Sequence, residues 1–179
     1  MNLATSIVIW ITYFIGLYFS VFWFLTFIER GISRDAKKRL KKFPYVTIAI
    51  PCWNRQDTVS DTIKSALELN YPKDKKEIIV VNHGSSDNSA REIEKFKGMV
   101  RILNIARSPG ERKGKPMNVA LKHAKGEFFV CLDADSIATK NSLIEILPHF
   151  EDQSVGCILP SMKVYKPKNF WHKIQNSKH

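Results

Sequence analysis

Residues 45–69 read YVTIAIPCWNRQDTVSDTIKSALEL, and the two ends of this stretch follow different periods. Its first seven residues, YVTIAIP, form a short apolar run rich in β-branched side chains, the pattern of a strand buried on both faces. From residue 58 to 69, Val59, Ile63, Ala66 and Leu67 recur at helical spacing, with Asp57 or Thr58 as a cap and Asn70-Tyr71-Pro72 as the stop. A buried strand that passes through a polar turn into a helix is the first half of a βαβ unit.

The alternation continues downstream. Residues 77–81 (EIIVV) predict a second strand, and 88–97 a helix in which Ser89 and Glu92 have the spacing of a capping box. Residues 100–104 (VRILN) predict a third strand. Residues 116–124 predict a helix with Met117, Ala120, Leu121 and Ala124 on one face, and 127–132 (EFFVCL) a fourth strand. A helix over 141–150, aligned on Leu143, Leu147 and Phe150, and a fifth strand over 155–159 (VGCIL) complete the series. Strands separated by helices give an α/β fold, a mainly parallel sheet with flanking helices. Such sheets bind ligands outside the carboxyl ends of their strands.

Polar and glycine-containing segments gather at that edge four times. The first strand runs into Pro51-Cys52-Trp53-Asn54-Arg55, the second into Asn82-His83-Gly84-Ser85-Ser86-Asp87. The third leads into residues 104–115, which hold Arg107, Gly110, Arg112, Lys113, Gly114 and Lys115, and the fourth into Asp133-Ala134-Asp135-Ser136. Together they point to a polyanionic ligand held with a metal. Asp133 and Asp135, alternating at the end of an apolar strand, suit a hard divalent cation, Mg²⁺ or Mn²⁺, bridging to phosphate oxygens. Alone, such a pair is common by chance, and an Asp near a helix start is often a cap. The basic segment is not a Walker motif, because Gly110 and Gly114 are one residue too close and Pro116 stands where Ser or Thr is required. Gly84 permits a tight turn or a close ligand approach, while Asp87 or Asn88 can cap the next helix. Cys52 has no evident base beside it and reads as a bystander.

Upstream of the first strand the composition changes sharply. Residues 3–28 carry no charge and hold 9 of the 20 aromatic residues. As a helix, this segment would reach about 39 Å, enough to cross a bilayer core about 30 Å thick. A signal peptide would carry its positive charge before the apolar run, and a buried core helix would keep a polar face. Here the charge follows. Arg30, Arg34, Lys37, Lys38, Arg39, Lys41 and Lys42 stand against one Asp over residues 30–42. A positive flank stays cytoplasmic, so the expectation is a single-pass protein of the cell membrane with its soluble domain in the cytoplasm. The expected organisation is an anchor over 1–29, a basic linker over 30–44 and an α/β domain over 45–179.

The totals fit this division. A chain of 179 residues suffices for one such domain and an anchor. The net charge of +11 comes largely from the linker, so it does not argue for nucleic acid, and no nucleic-acid partner is expected. Three scattered cysteines exclude a disulfide framework or a zinc ribbon.

In order along the chain, VTIAIPCWNR, EIIVVNHGSSDNS, GKPMNVALKHAKGEFFVCLDADS and VGCILPSMKVY resemble the amino-terminal half of family 2 glycosyltransferases. The resemblance covers residue 45 to the end, and the apolar amino-terminal segment is similar to that of membrane-bound members related to cellulose, chitin and hyaluronan synthases. It implies the GT-A fold, a UDP- or GDP-linked sugar donor and a glycan or lipid acceptor. It further implies that Pro51 and Asn54 lie beside the nucleoside, that His83 and Gly84 contact the base, and that Lys115 approaches the diphosphate. Asp133 and Asp135 match the family's DxD, Asp135 being the direct metal ligand. Asn82 and His83 replace two usual acidic residues, and Arg55 replaces a usual Glu. The family's catalytic base and its QxxRW segment follow the matched region, so this stretch is expected to be a donor-binding half without its acceptor half. Two other classes share these features: a non-catalytic nucleotide-sugar-binding protein and a membrane-tethered nucleotidyltransferase.

Overall fold

The computed structural model describes residues 2–32, 40, 42–111 and 114–163. The chain divides into two compact units, Met1–Lys38 and Arg39–His179.

The first unit is one helix, α1 (Leu3–Ile32). Over Leu3–Ile28 it is long and apolar enough to cross a membrane, and none of that span is buried. Trp10, Phe14, Trp23 and Phe27 are all exposed. Its two mid-helix threonines turn inward: Thr12 Oγ1 donates to the Val8 carbonyl at 2.9 Å and Thr26 Oγ1 to that of Phe22 at 2.8 Å. Polar groups satisfied within the helix are what an apolar surrounding requires. Of the expected basic linker, residues 33–39 and 41 lie outside the described residues.

The second unit is built on four parallel strands, β1 (Val46–Cys52), β2 (Lys76–His83), β3 (Arg101–Ile105) and β4 (Phe128–Cys131), in the order β3-β2-β1-β4. Alternate residues of the central strands enter two separate cores. Val46, Ile48 and Ile50, with Ile78 and Val80, meet α2 (Val59–Leu67), α3 (Ser89–Glu94) and α5 (Ser142–Ile146) through Val59, Ile63, Ile93 and Leu143. Ala49, Ile79 and Val81 meet Ala120 and Met117 of α4 (Gly114–His123) on the other face. Helices on both faces explain why β1 and β2 read as continuous apolar runs. The strand order reverses direction between β1 and β4, and at such a switch point the loops leaving the two strands part and open a crevice.

Several local expectations are corrected. Residues 155–160 carry no regular structure, and Leu159 is 88% exposed, so the fifth strand is absent there. A strand exists only within a ladder, and among the described residues nothing pairs with this segment. Residues 141–150 do not form one helix. α5 stops at Ile146 and a 3₁₀ turn (Leu147–Glu151) follows, because Pro148 lacks the N–H that would continue the α-helix. The capping box also fails: Ser89 Oγ accepts from the Arg55 N–H at 2.7 Å, and Glu92 accepts from Ser60 Oγ at 2.8 Å. Both side chains tie neighbouring elements together instead of closing their own helix. Of the other proposed caps, Asp87 acts, its Oδ1 accepting the Ser89 N–H at 2.9 Å at the start of α3, whereas Thr58 and Asn88 occupy the cap positions without a side-chain capping bond.

Candidate active site at the β1–β4 switch point

A cavity of about 390 Å³ opens at the carboxyl ends of β1 and β4. Pro51, Trp53 and Arg55 reach it from the β1 end, His83 from β2, Arg107 and Glu111 from the loop after β3, and Asp133 and Asp135 from the β4 end. Of the residues singled out in the sequence, Pro51, His83, Asp133 and Asp135 therefore share one space. Asn54, Gly84 and Lys115 stand beside it without lining it.

Main-chain and side-chain bonds fix the relation between the loops. The Leu132 N–H donates to the Ala49 carbonyl at 2.9 Å, extending the β1–β4 ladder to the residue before Asp133. The Ser136 N–H then returns to the Asp133 carbonyl at 2.9 Å, a tight turn that presents both carboxylates at one edge. Thr58 Oγ1, at the start of α2, donates to the Ala134 carbonyl at 2.8 Å and pins that turn. Asn54 adopts a left-handed backbone, φ +49°, which Asn tolerates better than most residues. Its Oδ1 accepts the Ser86 N–H at 2.9 Å, and its own N–H donates to Ser85 Oγ at 3.1 Å. Asn54 thus binds the β1 loop to the β2 loop.

The charges are arranged in pairs. Arg55 Nε lies 3.4 Å from Asp135 Oδ2, both side chains being about half exposed. Glu111 gathers donors from three places: Lys115 Nζ at 2.7 and 2.9 Å from its two oxygens, the Ser108 N–H at 2.9 Å and His83 Nε2 at 3.1 Å. Foremost among these, the Lys115 ammonium holds the Glu111 carboxyl down to about 2, helped by Ser108 and His83. Lys115 sits in the first turn of α4 and also donates to the Ala106 carbonyl at 3.2 Å. The Arg107 guanidinium stacks 3.3 Å from the centroid of the Trp53 ring and donates to the Glu111 carbonyl at 3.1 Å. Burial pushes the Cys52 thiol above its ordinary value, against an opposing hydrogen bond from Ser89. A thiol held protonated is a poor nucleophile, consistent with a bystander.

Sequence reasoning assigns no individual role to Trp53, Arg107 or Glu111. Their signal is long-range: Trp53 and Arg107 become partners only when the β1 and β3 ends meet, and Glu111 matters because its loop folds over His83.

Mg²⁺ and Mn²⁺ prefer six oxygen ligands, and nucleotide-linked sites draw only one or two of these from protein carboxylates, leaving the rest to water and phosphate. Asp133 and Asp135 on one turn are a donor set of that kind. Among the described residues, no group of three or more His, Cys, Asp or Glu is placed to hold a metal ion. The residues fit an ion that arrives with a phosphorylated ligand.

Residues 47–178 match the family model described as "Glycosyl transferase family 2". The poly-beta-1,6-N-acetyl-D-glucosamine synthase of Staphylococcus aureus strain MSSA476 is 29% identical over 171 residues, covering 90% of this chain and 41% of that protein. The protein of the same name from Staphylococcus epidermidis is 28% identical over the same length. The chain thus spans about two-fifths of the length of these curated relatives. Among solved structures, the mannosyltransferase PcManGT from Pyrobaculum calidifontis, in complex with GDP-Man and Mn²⁺, superposes with a TM-score of 0.64 at 24% identity, over 80% of this chain and 42% of that one. S. aureus TarS 1–349 in complex with UDP-GlcNAc gives 0.53 at 24% identity, over 65% and 37%. At such identities the likeness establishes the fold, which is GT-A.

Proposed function

Because the chain belongs to glycosyl transferase family 2, we propose that the cavity at the β1–β4 switch point is the donor site of a membrane-anchored, inverting glycosyltransferase. The donor is a UDP- or GDP-linked sugar taken with Mg²⁺ or Mn²⁺. One observation carries the reading: two carboxylates, two arginines and a tryptophan converge on one cavity from successive strand ends, with Lys115 beside it. The complexes of the solved neighbours, GDP-Man with Mn²⁺ in one and UDP-GlcNAc in the other, support both donor types. The acceptor is a glycan or a lipid, and the relatives' name as polymer synthases supports the glycan.

In this reading the base packs against Trp53 and the Arg107 guanidinium stacked on it, with Pro51 and His83 bounding the same space. Lys115 and Arg55 are the cations within reach of a diphosphate, and Asp133 and Asp135 hold the metal. A bound divalent ion neutralises charge developing on the leaving diphosphate. Inversion requires a base that deprotonates the acceptor hydroxyl for attack at the anomeric carbon; that base is not among the residues assigned to the donor cavity. Helix α1 supplies the anchor, and the seven Lys or Arg over residues 30–42 support a cytoplasmic domain.

Calorimetry on the whole chain in detergent tests the reading, using UDP and GDP with and without Mn²⁺. One nucleotide is expected to bind with metal, and Asp135→Ala to weaken the metal-dependent part about tenfold or more. Equal affinity in the variant and in metal-free samples would remove the metal assignment. Failure of both nucleotides under every condition would remove the donor site.

A further inference from the structure

Two charged groups that the donor site offers to a ligand, Asp135 and Lys115, already hold an internal partner of opposite sign. Asp135, given above to the metal, faces Arg55 Nε at 3.4 Å. Lys115, given to the diphosphate, is held between both oxygens of Glu111 at 2.7 and 2.9 Å. A cation stands where a cation is to bind, and a carboxylate stands where a phosphate is to bind.

We propose that Arg55 and Glu111 are internal counter-ions of the donor site, Arg55 keeping the metal's place on Asp135 and Glu111 a phosphate's place on Lys115, so that metal ion and nucleoside diphosphate bind as a unit and either alone binds weakly. This rests on the donor-site reading above.

The electrostatics follow from the positions. A metal ion arriving alone must part Asp135 from Arg55 and leave a guanidinium facing a dication. A diphosphate arriving alone must draw Lys115 from Glu111, whose low carboxyl value keeps it charged beside the incoming anion. When both arrive together, phosphate oxygens receive Arg55 and Lys115 while the metal takes Asp135, and every charge keeps a partner. Glu111 then retains the Ser108 N–H and His83 as donors. Such coupling is reciprocal: whatever factor the metal adds to nucleotide affinity, the nucleotide adds to metal affinity.

A purely architectural role for the Arg55 guanidinium is not needed. Its loop is shaped by the main chain: the Arg55 N–H donates to Ser89 Oγ at 2.7 Å, and its carbonyl accepts the Thr58 and Val59 N–H groups at 3.1 and 3.0 Å to start α2. Apart from one long bond, from Arg55 Nη1 to the Asn54 carbonyl at 3.4 Å, the guanidinium is left to act on charge. Glu111 serves its loop as well as Lys115, so Arg55 gives the cleaner test.

The experiment uses the whole chain in detergent as wild type, Arg55→Gln, Arg55→Lys and Glu111→Gln. Free Mn²⁺ is followed by electron paramagnetic resonance as Mn²⁺ alone is titrated, and UDP and GDP are titrated by calorimetry in chelator and then in Mn²⁺. Exposed ion pairs are worth up to about a fivefold change in an equilibrium. Arg55→Gln is therefore expected to bind Mn²⁺ alone about three- to fivefold tighter, while Arg55→Lys, which keeps the cation, stays near wild type. Glu111→Gln is expected to bind the nucleotide in chelator tighter by a similar factor, and both Gln variants to show less metal–nucleotide coupling. Unchanged or weaker Mn²⁺ binding by Arg55→Gln would overturn the inference while leaving the donor site intact, provided wild type binds metal and nucleotide together. Absence of that joint binding in wild type would sink the donor-site reading, and the inference with it.

Discussion

Gly84 directly follows β2 with φ +60°, a conformation that side chains with a Cβ adopt only at a cost. Space is the second constraint. A Cβ at this position would stand 2.9 Å from Arg107 Cβ and 3.0 Å from the Arg107 nitrogen. Arg107 is held on its far side by the stack on Trp53, so it cannot yield without uncovering the ring. Gly84→Ala is expected to destabilise the domain by about 2 kcal/mol and to change the Trp53 fluorescence environment; thermal denaturation and emission spectra check both, and an unchanged melting temperature would show that the loop relaxes freely. Glu111 gives a second prediction at this scale. Its carboxyl lies at about 2 against an ordinary 4.5, chiefly through Lys115. A depressed carboxyl stabilises fully above its unfolded value, and this contribution is lost as pH falls through the folded one. The window is thus from 4.5 down toward about 2. Carbon-13 NMR of the side-chain carboxyl should place its midpoint near the lower end, and Lys115→Met should raise it. A wild-type midpoint at 4.5 would mean that the ammonium does not hold the carboxylate.

The element most instructive about the fold is the start of β1, where Thr47 is fully buried although polar. Its Oγ1 donates to Glu77 Oε1 at 2.6 Å and accepts the Gly126 N–H at 2.8 Å, while the Lys125 N–H reaches the same Glu77 oxygen at 2.6 Å. One hydroxyl therefore links β1 to β2 and to the turn entering β4. Gly126 is required there, since a Cβ would collide with the Thr47 backbone. Thr47→Val keeps the shape but removes the hydroxyl, leaving the Gly126 N–H without its acceptor. A loss of about 1–3 kcal/mol is expected, against about 1 kcal/mol for Thr47→Ser, which keeps the bonds; equal losses in chemical denaturation would contradict this account. The contrast also shows what is legible in a sequence. The apolar period of residues 45–51 predicts β1 because local burial dictates it, and the four parallel strands follow from the same signal. The Thr47–Glu77–Gly126 link and the strand order are invisible, because they join residues far apart in the chain. For the same reason VGCIL reads as a strand by composition, yet the ladder partner it needs is not supplied by its own residues. At the site, the pairing of Asp133 with Asp135 is legible from their spacing. The Arg55–Asp135, His83–Glu111 and Trp53–Arg107 partners are not, since each is made by two loops meeting.

At the scale of the whole molecule, the two units pose different physical problems. The helix satisfies the hydroxyls of Thr12 and Thr26 within itself, and the α/β unit brings four strand ends to one cavity. In the proposed reading the carboxylates and cations of that cavity meet a metal-bound diphosphate, the donor side of a sugar transfer. The curated relatives are more than twice as long as the stretch they share with this chain. This leads to a prediction about the 179 residues by themselves. Without a general base a transfer typically slows about 10²–10⁴-fold, and without a surface that orients the acceptor the loss grows further. The purified chain is therefore expected to bind UDP or GDP with Mn²⁺ but to transfer no sugar above background. Release of free sugar to water should be the only turnover, because water needs no positioning surface to reach an exposed anomeric carbon. Incubation with UDP- and GDP-linked sugars, followed by separate assays for free sugar, nucleoside diphosphate and glycan, distinguishes these outcomes. Glycan synthesis by the isolated chain would mean that a base is already present at this cavity, and Glu111, the ionised carboxylate held by His83 and Lys115, would be the first residue to substitute in search of it.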